Sequence, residues 1–222
     1  MRLLELFSGT GSVGDVAKAR GWDVVSLDMD PKTNADIKCN IMDFDYKTLQ
    51  AGQLDMIWAS PPCTEYSIAK TIGTRKIEAS NEVVQRTLDI IRHFEPDYYC
   101  MENPQTGQLK NQPMMIDVPY ADVDYCRYGM PYRKRTRIWN NVHTWHPRPL
   151  CKRDCAAMDE YGKKHKESAQ RFPNSNDPNK AEKKKWKQSE LYRVPSELVD
   201  EILHAVENDE WYKIKYVHNT LK

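Results

Sequence analysis

Short apolar runs alternate with a stretch of helical spacing in the N-terminal half of the chain. The runs are five to seven residues long, as buried strands are, and they occupy residues 2–7, 23–28, 54–60 and 97–101. Between the last two runs, residues 81–95 place apolar side chains along one helical face. Strands that alternate with helices predict a layered α/β fold with a largely parallel sheet.

The pattern changes in the C-terminal half. Residues 121–128 and 136–142 predict two strands, and the loop GMPYRKR between them predicts an antiparallel pair. Residues 143–190 are rich in Pro, Lys, Asn and Asp and show little periodicity, whereas residues 196–207 return to a helix with one apolar face. We therefore expect a mixed, mostly parallel α/β body with a small irregular lobe inserted before its last helix.

Charge is distributed unevenly along the chain. Residues 127–187 contain 17 Lys and Arg against 6 Asp and Glu, a net charge of +11, whereas the rest carries −10. A basic segment on an acidic body suggests a face for a polyanion, with nucleic acid as the first candidate. A solvated, lysine-rich insertion would have the same composition. The lysine run around Trp186, at residues 183–187, either contacts phosphates or is solvated surface.

The composition indicates a globular intracellular protein. Hydrophobic residues make up 40% of the 222 residues, yet no apolar run approaches the ~18–20 residues of a membrane span. Six cysteines are too few for a disulfide scaffold, and the N-terminal apolar stretch is too short for a secretory signal. We expect a cytoplasmic protein, or one associated with DNA in the nucleoid or nucleus, with no membrane partner and no obligatory protein partner.

A glycine motif follows the first predicted strand. Gly9, Gly11 and Gly14 fit the pattern G-x-G-x-x-G, in which backbone amides can approach a ligand closely. Asp28 and Asp30 close the next strand, where a carboxylate can accept hydrogen bonds from a ribose. The spacing suits a dinucleotide and S-adenosylmethionine equally well, and a glycine turn kept for packing is the alternative.

Two reactive side chains follow later strands. Cys63 comes after the rigid pair Pro61-Pro62, and Glu102 begins the sequence Glu-Asn-Pro. Parallel strands share a carboxyl edge, so both side chains would lie on one rim, where a thiolate and a carboxylic acid suit attack on an electron-poor heterocycle. Taken alone, an inert buried cysteine and a turn carboxylate are the plainer interpretations.

Arginines alternate in the predicted hairpin. Arg133, Arg135 and Arg137 are separated by single residues, which predicts that all three point to one face, as phosphate or base contacts require. An exposed basic hairpin is the alternative.

Four motifs in this order resemble the DNA (cytosine-5)-methyltransferase family. They are LFSGTGSVG, SPPCTEYS, MENP and PYRKRTRIW, and they cover residues 1–142; VPSEL at residues 194–198 is similar to the family's final motif. The resemblance implies a Rossmann-like, S-adenosylmethionine-dependent fold. It divides the chain into a catalytic and cofactor-binding core at 1–142, a minimal target-recognition lobe at 143–190, and a C-terminal helix and tail at 191–222.

The resemblance also implies a mechanism on DNA. Cys63 matches the nucleophile that adds to C6 of a flipped-out cytosine, Glu102 the acid at N3, and Arg135 and Arg137 the supporting arginines. Residues that match the S-adenosylmethionine site are Phe7, Ser8, Gly9, Gly11, Asp28, Asp30, Ile41 and Pro61.

The sequence departs from the family pattern at four places. Arg133 stands where the family has Gln, Pro104 where it has Val, and Tyr192-Arg193 where it usually has Asn before Val-Pro. The recognition region, at about residues 143–190, lacks the usual large lobe. These departures bring long-site sequence specificity into question and leave the catalytic residues intact.

The compact lobe contains a candidate metal site. His146, Cys151, Cys155 and His165 offer two imidazoles and two thiols within twenty residues, and four such groups can close a tetrahedral zinc site. His143 is an equal candidate for the fourth ligand. Free cysteines in a lysine-rich loop are the alternative.

Three other functions compete with DNA methylation. Members of the same family act on RNA, and nothing in the chain is a recognisable reader of a 2′-hydroxyl. A catalytically silent nucleic-acid-binding module need not keep both Cys63 and Glu102. A dinucleotide-dependent oxidoreductase would use the glycine loop but has no role for the Pro-Pro-Cys and Glu-Asn-Pro motifs.

Overall fold

The computed structural model describes residues 1–49, 54–68, 70, 73–169 and 186–210. Its central feature is a seven-stranded sheet in the order β3-β2-β1-β4-β5-β7-β6. The strands are β1 (Arg2–Leu6), β2 (Asp23–Asp28), β3 (Ile37–Lys38), β4 (Met56–Ala59), β5 (Tyr98–Pro104), β6 (Tyr120–Asp124) and β7 (Arg135–Asn140). The helices are α1 (Gly14–Ala19), α2 (Ile77–Phe94), α3 (Gln188–Tyr192) and α4 (Ser196–Glu207).

The sheet has a parallel part and an antiparallel part. β1 to β5 pair in parallel, and β7 runs antiparallel to both β5 and β6. The chain order reverses between β1 and β4, which is the point in such sheets where ligands bind outside the carboxyl ends of the strands. The predicted α/β fold with a mostly parallel sheet is confirmed.

Two apolar layers cover the sheet because successive strand residues point to opposite faces. Leu3 packs with Trp58 and the buried side of α4 on one face, and Leu4 packs with Ile57 and α2 on the other. All four residues of β4 are buried, as expected for a strand between two layers. This arrangement explains why β4 is apolar throughout, without alternation.

Several predicted boundaries differ from the observed ones. The predicted helix at 196–207 agrees with α4, whereas α2 begins earlier than predicted, at Ile77. The apolar run at residues 97–101 predicted a strand that ends before Glu102, but β5 continues through Pro104 because Glu102, Asn103 and Pro104 pair with β7. Residues Tyr125–Tyr128, expected as strand, form a 3-10 turn that ends at Gly129.

The first part of the lobe predicted at 143–190, residues 143–169, is built without helices or strands. Its regular backbone pairing is a single bridge between Met158 and His165. Trp145 anchors the start of this segment in the apolar layer beneath α4. The predicted phosphate contacts of residues 183–185 lie outside the described residues.

None of the described helices is long and apolar enough to cross a membrane.

Candidate active site

A strained glycine loop lies at the carboxyl end of β1. Gly9 and Gly11 have φ of 51° and 71°, and Phe7 adopts φ of 60°, a conformation that side chains rarely take. The Gly9 amide donates to Asp28 Oδ2 at 2.8 Å, which fastens the loop to the end of β2. Strain of this kind persists where the surrounding structure holds it, and it is often found at ligand sites.

A buried carboxyl group supports the loop from below. Glu5 Oε2 accepts a hydrogen bond from the Gly14 amide at 3.1 Å, and a Cβ added at Gly14 would lie only 2.5 Å from that oxygen. Burial raises the pKa of Glu5 to about 7, although the hydrogen bonds from the Gly14 and Val13 backbone oppose this. Glycine is therefore required at position 14 for close packing. The sequence analysis missed Glu5, because its partner is defined only by the fold of the loop.

The residues predicted to bind the cofactor come from four adjacent strand ends. Phe7, Ser8, Gly9 and Gly11 follow β1; Asp28 ends β2 and Asp30 lies just beyond it; Ile41 follows β3; and Pro61 follows β4. Asp28 is occupied with loop amides, since its second oxygen accepts from the Asp30 amide at 2.8 Å. Asp30 is exposed, and its Oδ1 accepts a hydrogen bond from the Lys32 amide at 2.9 Å.

Cys63 lies in the loop that leaves β4 at the same edge. Asn103 Nδ2 donates to the Pro61 carbonyl at 2.9 Å, and the Tyr66 amide donates to the Cys63 carbonyl at 3.1 Å. The first bond ties the loop to β5 and the second closes a turn directly after the thiol. The Cys63 side chain is thus held at the edge of the sheet, half-buried and unpaired with another cysteine.

Glu102 lies on β5 beside that loop, with two partners from the antiparallel part of the sheet. Tyr125 donates its hydroxyl to Glu102 Oε1 at 2.9 Å, and Lys134 Nζ lies 3.6 Å from the same oxygen. The Lys134 ammonium also lies over the Tyr125 ring, 4.9 Å from its centroid, and donates to the Leu191 carbonyl at 3.1 Å. Neither Tyr125 nor Lys134 was singled out from the sequence. The one sequence signal for Lys134 was its position between the predicted arginines.

The pKa of Cys63 depends on the charges of Glu102 and Lys134. Burial raises the pKa of the Cys63 thiol above its ordinary value, the charge of Glu102 raises it further, and the charge of Lys134 lowers it. Cys63 follows β4 and Glu102 lies on β5, the neighbouring parallel strand, and the charge of Glu102 acts on the thiol. The catalytic roles predicted for these two side chains stay predictions.

Arg135 and Arg137 are held by carboxylates of the neighbouring strand. Arg135 makes two hydrogen bonds to Asp124, at 3.0 and 2.7 Å, and Arg137 makes two to Asp122, at 2.7 and 3.0 Å. The Arg137 guanidinium also stacks 3.4 Å from the Tyr120 ring centroid. Arg133 precedes β7 and is exposed. Of the three arginines predicted to point to one face, only Arg135 and Arg137 therefore lie on one face of the strand.

The C-terminal motif returns to the glycine loop. The Val194 amide donates to Ser12 Oγ at 3.1 Å, and Val194 itself is buried beside α4. This contact places the start of the VPSEL motif beside the glycine loop.

The structure changes the predicted ligand set in the lobe. One ligand atom from each of Cys126, Cys151, Cys155 and His165 lies within 4.8 Å of the others. His146 is exposed and outside this group, so the expectation that it provides a ligand is corrected, and Cys126 takes its place. His143 is likewise exposed. Cys126 was missed because it lies 25 residues before Cys151, beyond any local spacing pattern.

The sheet is Rossmann-like, with the glycine loop after β1 on one side of its switch point and Cys63 after β4 on the other. Residues 1–114 match the model of the family described as C-5 cytosine-specific DNA methylase. The chain belongs to this family, whose members use S-adenosylmethionine.

A relative of known name supports this assignment. The chain is 32% identical over 179 residues to a protein of Frog virus 3 (isolate Goorha) named as a probable DNA (cytosine-5)-methyltransferase, covering 72% of this chain and 79% of the relative.

Similar solved structures include a candidate DNA modification methyltransferase encoded within an E. coli prophage and the Dnmt2 methyltransferase of S. pombe. The first has 15% identity and a TM-score of 0.49 over 68% of this chain and 52% of its own. The second has 15% identity and a TM-score of 0.43 over 62% of this chain and 47% of its own. The chain spans about half the length of these solved structures.

Proposed function

We propose that this protein transfers a methyl group to C5 of cytosine in DNA through a covalent bond between Cys63 and C6 of the base. The observation that carries the proposal is the meeting of Cys63 and Glu102 at the carboxyl edge of the sheet, with Lys134 beside both. A nucleophile and an acid on one rim are what addition to the pyrimidine ring requires.

The first step is addition of the Cys63 sulfur to C6. In the free protein burial and the negative charge of Glu102 hold the proton on the thiol. We infer that the proton released by the Cys63 thiol passes to Glu102, whose carboxylic acid then donates to cytosine N3. This transfer removes the charge of Glu102 that raises the pKa of the thiol, so binding of the base favours the Cys63 thiolate.

Addition at C6 then makes C5 of the ring nucleophilic. Addition of sulfur to C6 breaks the C5–C6 double bond, and a proton held between Glu102 and N3 neutralises the charge that develops on the ring. C5 becomes an enamine carbon that can accept a methyl group. Loss of the C5 proton to water restores the double bond, expels the Cys63 thiolate and returns the N3 proton to Glu102.

The cofactor would lie along the ends of β1, β2 and β4. S-adenosylmethionine, when bound, supplies the electrophilic methyl group. We assign its binding to Phe7, Ser8, Gly9, Gly11, Asp28, Asp30, Ile41 and Pro61. The strained loop would present its backbone to the ligand, Asp28 keeps that loop in place, and the exposed Asp30 would offer its second carboxylate oxygen to the ribose.

The substrate base must leave the helical stack, because a half-buried thiol at the sheet edge cannot reach C6 inside a duplex. The basic segment 127–187 supports a polyanionic substrate, with its net charge of +11. We assign phosphate contacts to this segment. Affinity for DNA should then fall steeply with salt, with a slope of roughly −0.9 in log K against log salt for each neutralised phosphate.

Trapping with a modified base tests the proposal. Duplex DNA containing 5-fluorocytosine should form a denaturation-resistant complex with the protein, because fluorine at C5 cannot be lost as a proton can. Cys63→Ala should form no such complex and should methylate at least about 10³-fold more slowly. Cys39→Ala is the matched control, since Cys39 is another half-buried free cysteine, and it should trap normally. Trapping by Cys63→Ala would contradict the assignment.

The same assay separates the competing polymer. A tRNA substrate containing 5-fluorocytosine, presented alongside the duplex, should trap less protein than DNA. A stronger complex with tRNA would reassign the activity to RNA while keeping the chemistry of Cys63. An absence of trapping on both polymers, with both nucleic acids bound, would favour a silent binding module.

A further inference from the structure

The four ligand atoms of Cys126, Cys151, Cys155 and His165 have the spacing of a tetrahedral metal site. His165 Nε2 lies 3.5 Å from Cys151 Sγ and 3.4 Å from Cys155 Sγ, and all four atoms lie within 4.8 Å of one another. With Zn–S of about 2.3 Å and Zn–N of about 2.0–2.1 Å, a tetrahedron places sulfur and nitrogen ligands about 3.6 Å apart. Both sulfur–nitrogen distances therefore match those of a tetrahedral site, and the other ligand atoms lie near the same centre.

The backbone builds this arrangement from three separate stretches. Cys126 comes from the 3-10 turn after β6. Cys151 and Cys155 come from a turn in which Arg153 has φ of 69° and donates its amide to Cys151 Sγ at 3.3 Å. His165 returns through the bridge with Met158. An amide directed at a cysteine sulfur is a second-sphere contact that suits a thiolate ligand.

Burial argues against a purely apolar role for this cluster. Cys126 and Cys151 are about 95% buried, yet their apolar surroundings consist of Ala157 and the partly buried Cys155. So small a cluster stabilises little, since burying one large side chain is worth only about 1.5–3 kcal/mol. Three thiols and one imidazole converging on a single point are, by contrast, the donor set that selects zinc over magnesium or calcium.

We propose that Cys126, Cys151, Cys155 and His165 bind one structural zinc ion that fastens the lobe to the β6–β7 pair. The Cys151 amide donates to Asp124 Oδ2 at 2.9 Å, and Asp124 is the carboxylate that holds Arg135. Cys126 directly follows Tyr125, which donates to Glu102. Cys126 and Cys151 thus connect the metal to the end of β6, through Tyr125 and Asp124 respectively. The metal thereby fixes the β6–β7 pair, which supports the edge of the sheet where Cys63 lies.

Neighbouring charges fit a site with three thiolates. Three thiolates and one neutral imidazole around a divalent ion carry a net charge of −1. Arg127 directly follows Cys126 and forms an ion pair with Asp154, which lies between Cys151 and Cys155. The cation compensates the excess negative charge and holds the cysteine turn against the 3-10 turn.

Elemental analysis of the full chain, expressed with zinc and purified without chelator, tests the proposal. We expect about one zinc per chain, as for a closed structural site. Cys126→Ser and His165→Ala should lose the metal. The matched controls are His146→Ala and Cys39→Ser, which should keep it, because His146 and Cys39 lie outside the cluster. Retention by Cys126→Ser with loss in His146→Ala would overturn the ligand set.

Cobalt substitution of the wild-type protein guards against variants that fail to fold. Protein stripped with a chelator and titrated with Co²⁺ should develop thiolate-to-cobalt charge-transfer absorption that saturates at about one equivalent. Added Zn²⁺ should abolish the absorption. A thiol reagent should reach three fewer cysteines in the zinc form than in the stripped form. No charge-transfer absorption, or a disulfide among Cys126, Cys151 and Cys155, would overturn the proposal.

The zinc proposal and the proposed function fail separately. Metal content and the cobalt spectrum report on the cluster whether or not the protein methylates DNA. Trapping on 5-fluorocytosine reports on Cys63 whether or not a metal is bound. Chelation should weaken DNA binding and leave S-adenosylmethionine binding intact, because the cofactor residues lie at the other end of the sheet.

Discussion

The α/β body and the lobe segment 143–169 are ordered by different forces. In the body, both faces of the sheet are covered by apolar layers, and β4 is buried along its whole length. In the segment 143–169, only Trp145, Cys151 and Ala157 are buried. The body is therefore stabilised by burial of apolar surface, which the lobe has in short supply.

Polar ties replace that burial in the lobe. Arg148 donates to Glu197 and Glu201 of α4 at 2.7 and 2.6 Å, donates to the Arg127 carbonyl, and lies 4.6 Å from the Tyr128 ring centroid. Together with the cysteine–histidine cluster, this side chain connects the lobe to the body at two points. A recognition surface can thus be held in position by few residues, provided that each makes several directional contacts.

The largest effect we expect is on the body. Ile202 on α4 is completely buried in the layer that contains Leu3 and Trp58, so Ile202→Ala should lower the free energy of unfolding by about 2–5 kcal/mol. Leu150→Ala in the lobe removes a side chain that is 37% exposed and should cost less than about 0.5 kcal/mol. Urea unfolding measures both. Equal losses in the free energy of unfolding of the two variants would contradict the conclusion that apolar burial stabilises the body more than the lobe.

The next effect is the pH dependence of the body. Glu5 has a pKa of about 7 in the folded protein against 4.5 ordinarily, so the folded state binds a proton that the unfolded state has released. Stability should therefore fall as the pH rises from about 4.5 to about 7, by up to about 3 kcal/mol. Glu5→Gln removes the titration and should show a flatter profile. Denaturant unfolding between about pH 5 and pH 8 measures this, and parallel profiles would contradict it.

The smallest effect concerns the lobe. Arg148→Ala removes two ion pairs and a backbone contact and should lower the free energy of unfolding by about 1 kcal/mol. Amide hydrogen exchange in residues 143–169 should accelerate more than exchange in the central strands. Arg92→Ala is the control, since Arg92 makes one exposed pair with Asp89 on α2 and should cost less than about 0.5 kcal/mol. Uniform acceleration of amide exchange throughout the sheet would contradict this expectation, because it would show that Arg148 stabilises the whole body.

Local sequence patterns predicted much of the fold. Apolar runs of strand length predicted β1, β2, β4 and β5 to within a few residues because buried strands are apolar on both faces. β3 was not predicted, since a strand of two residues has no periodicity. The chain continues β5 through Pro104 because β7 pairs with it there, and that pairing partner lies more than 30 residues away. Pairing across such a separation leaves no mark in a local window.

The sequence by itself determined which chemical groups the protein has and in what order, and with them its family. The glycine loop, Cys63 and Glu102 follow strand ends, and parallel strands share one carboxyl edge, so their meeting followed from topology alone. Only the tertiary structure decided which partners surround them. Lys134 and Tyr125 meet Glu102, Glu5 lies beneath Gly14, and Cys126 replaces His146 beside Cys151. These choices depend on register and on turns that close over long separations, where a shift of one residue would direct each side chain to the opposite face.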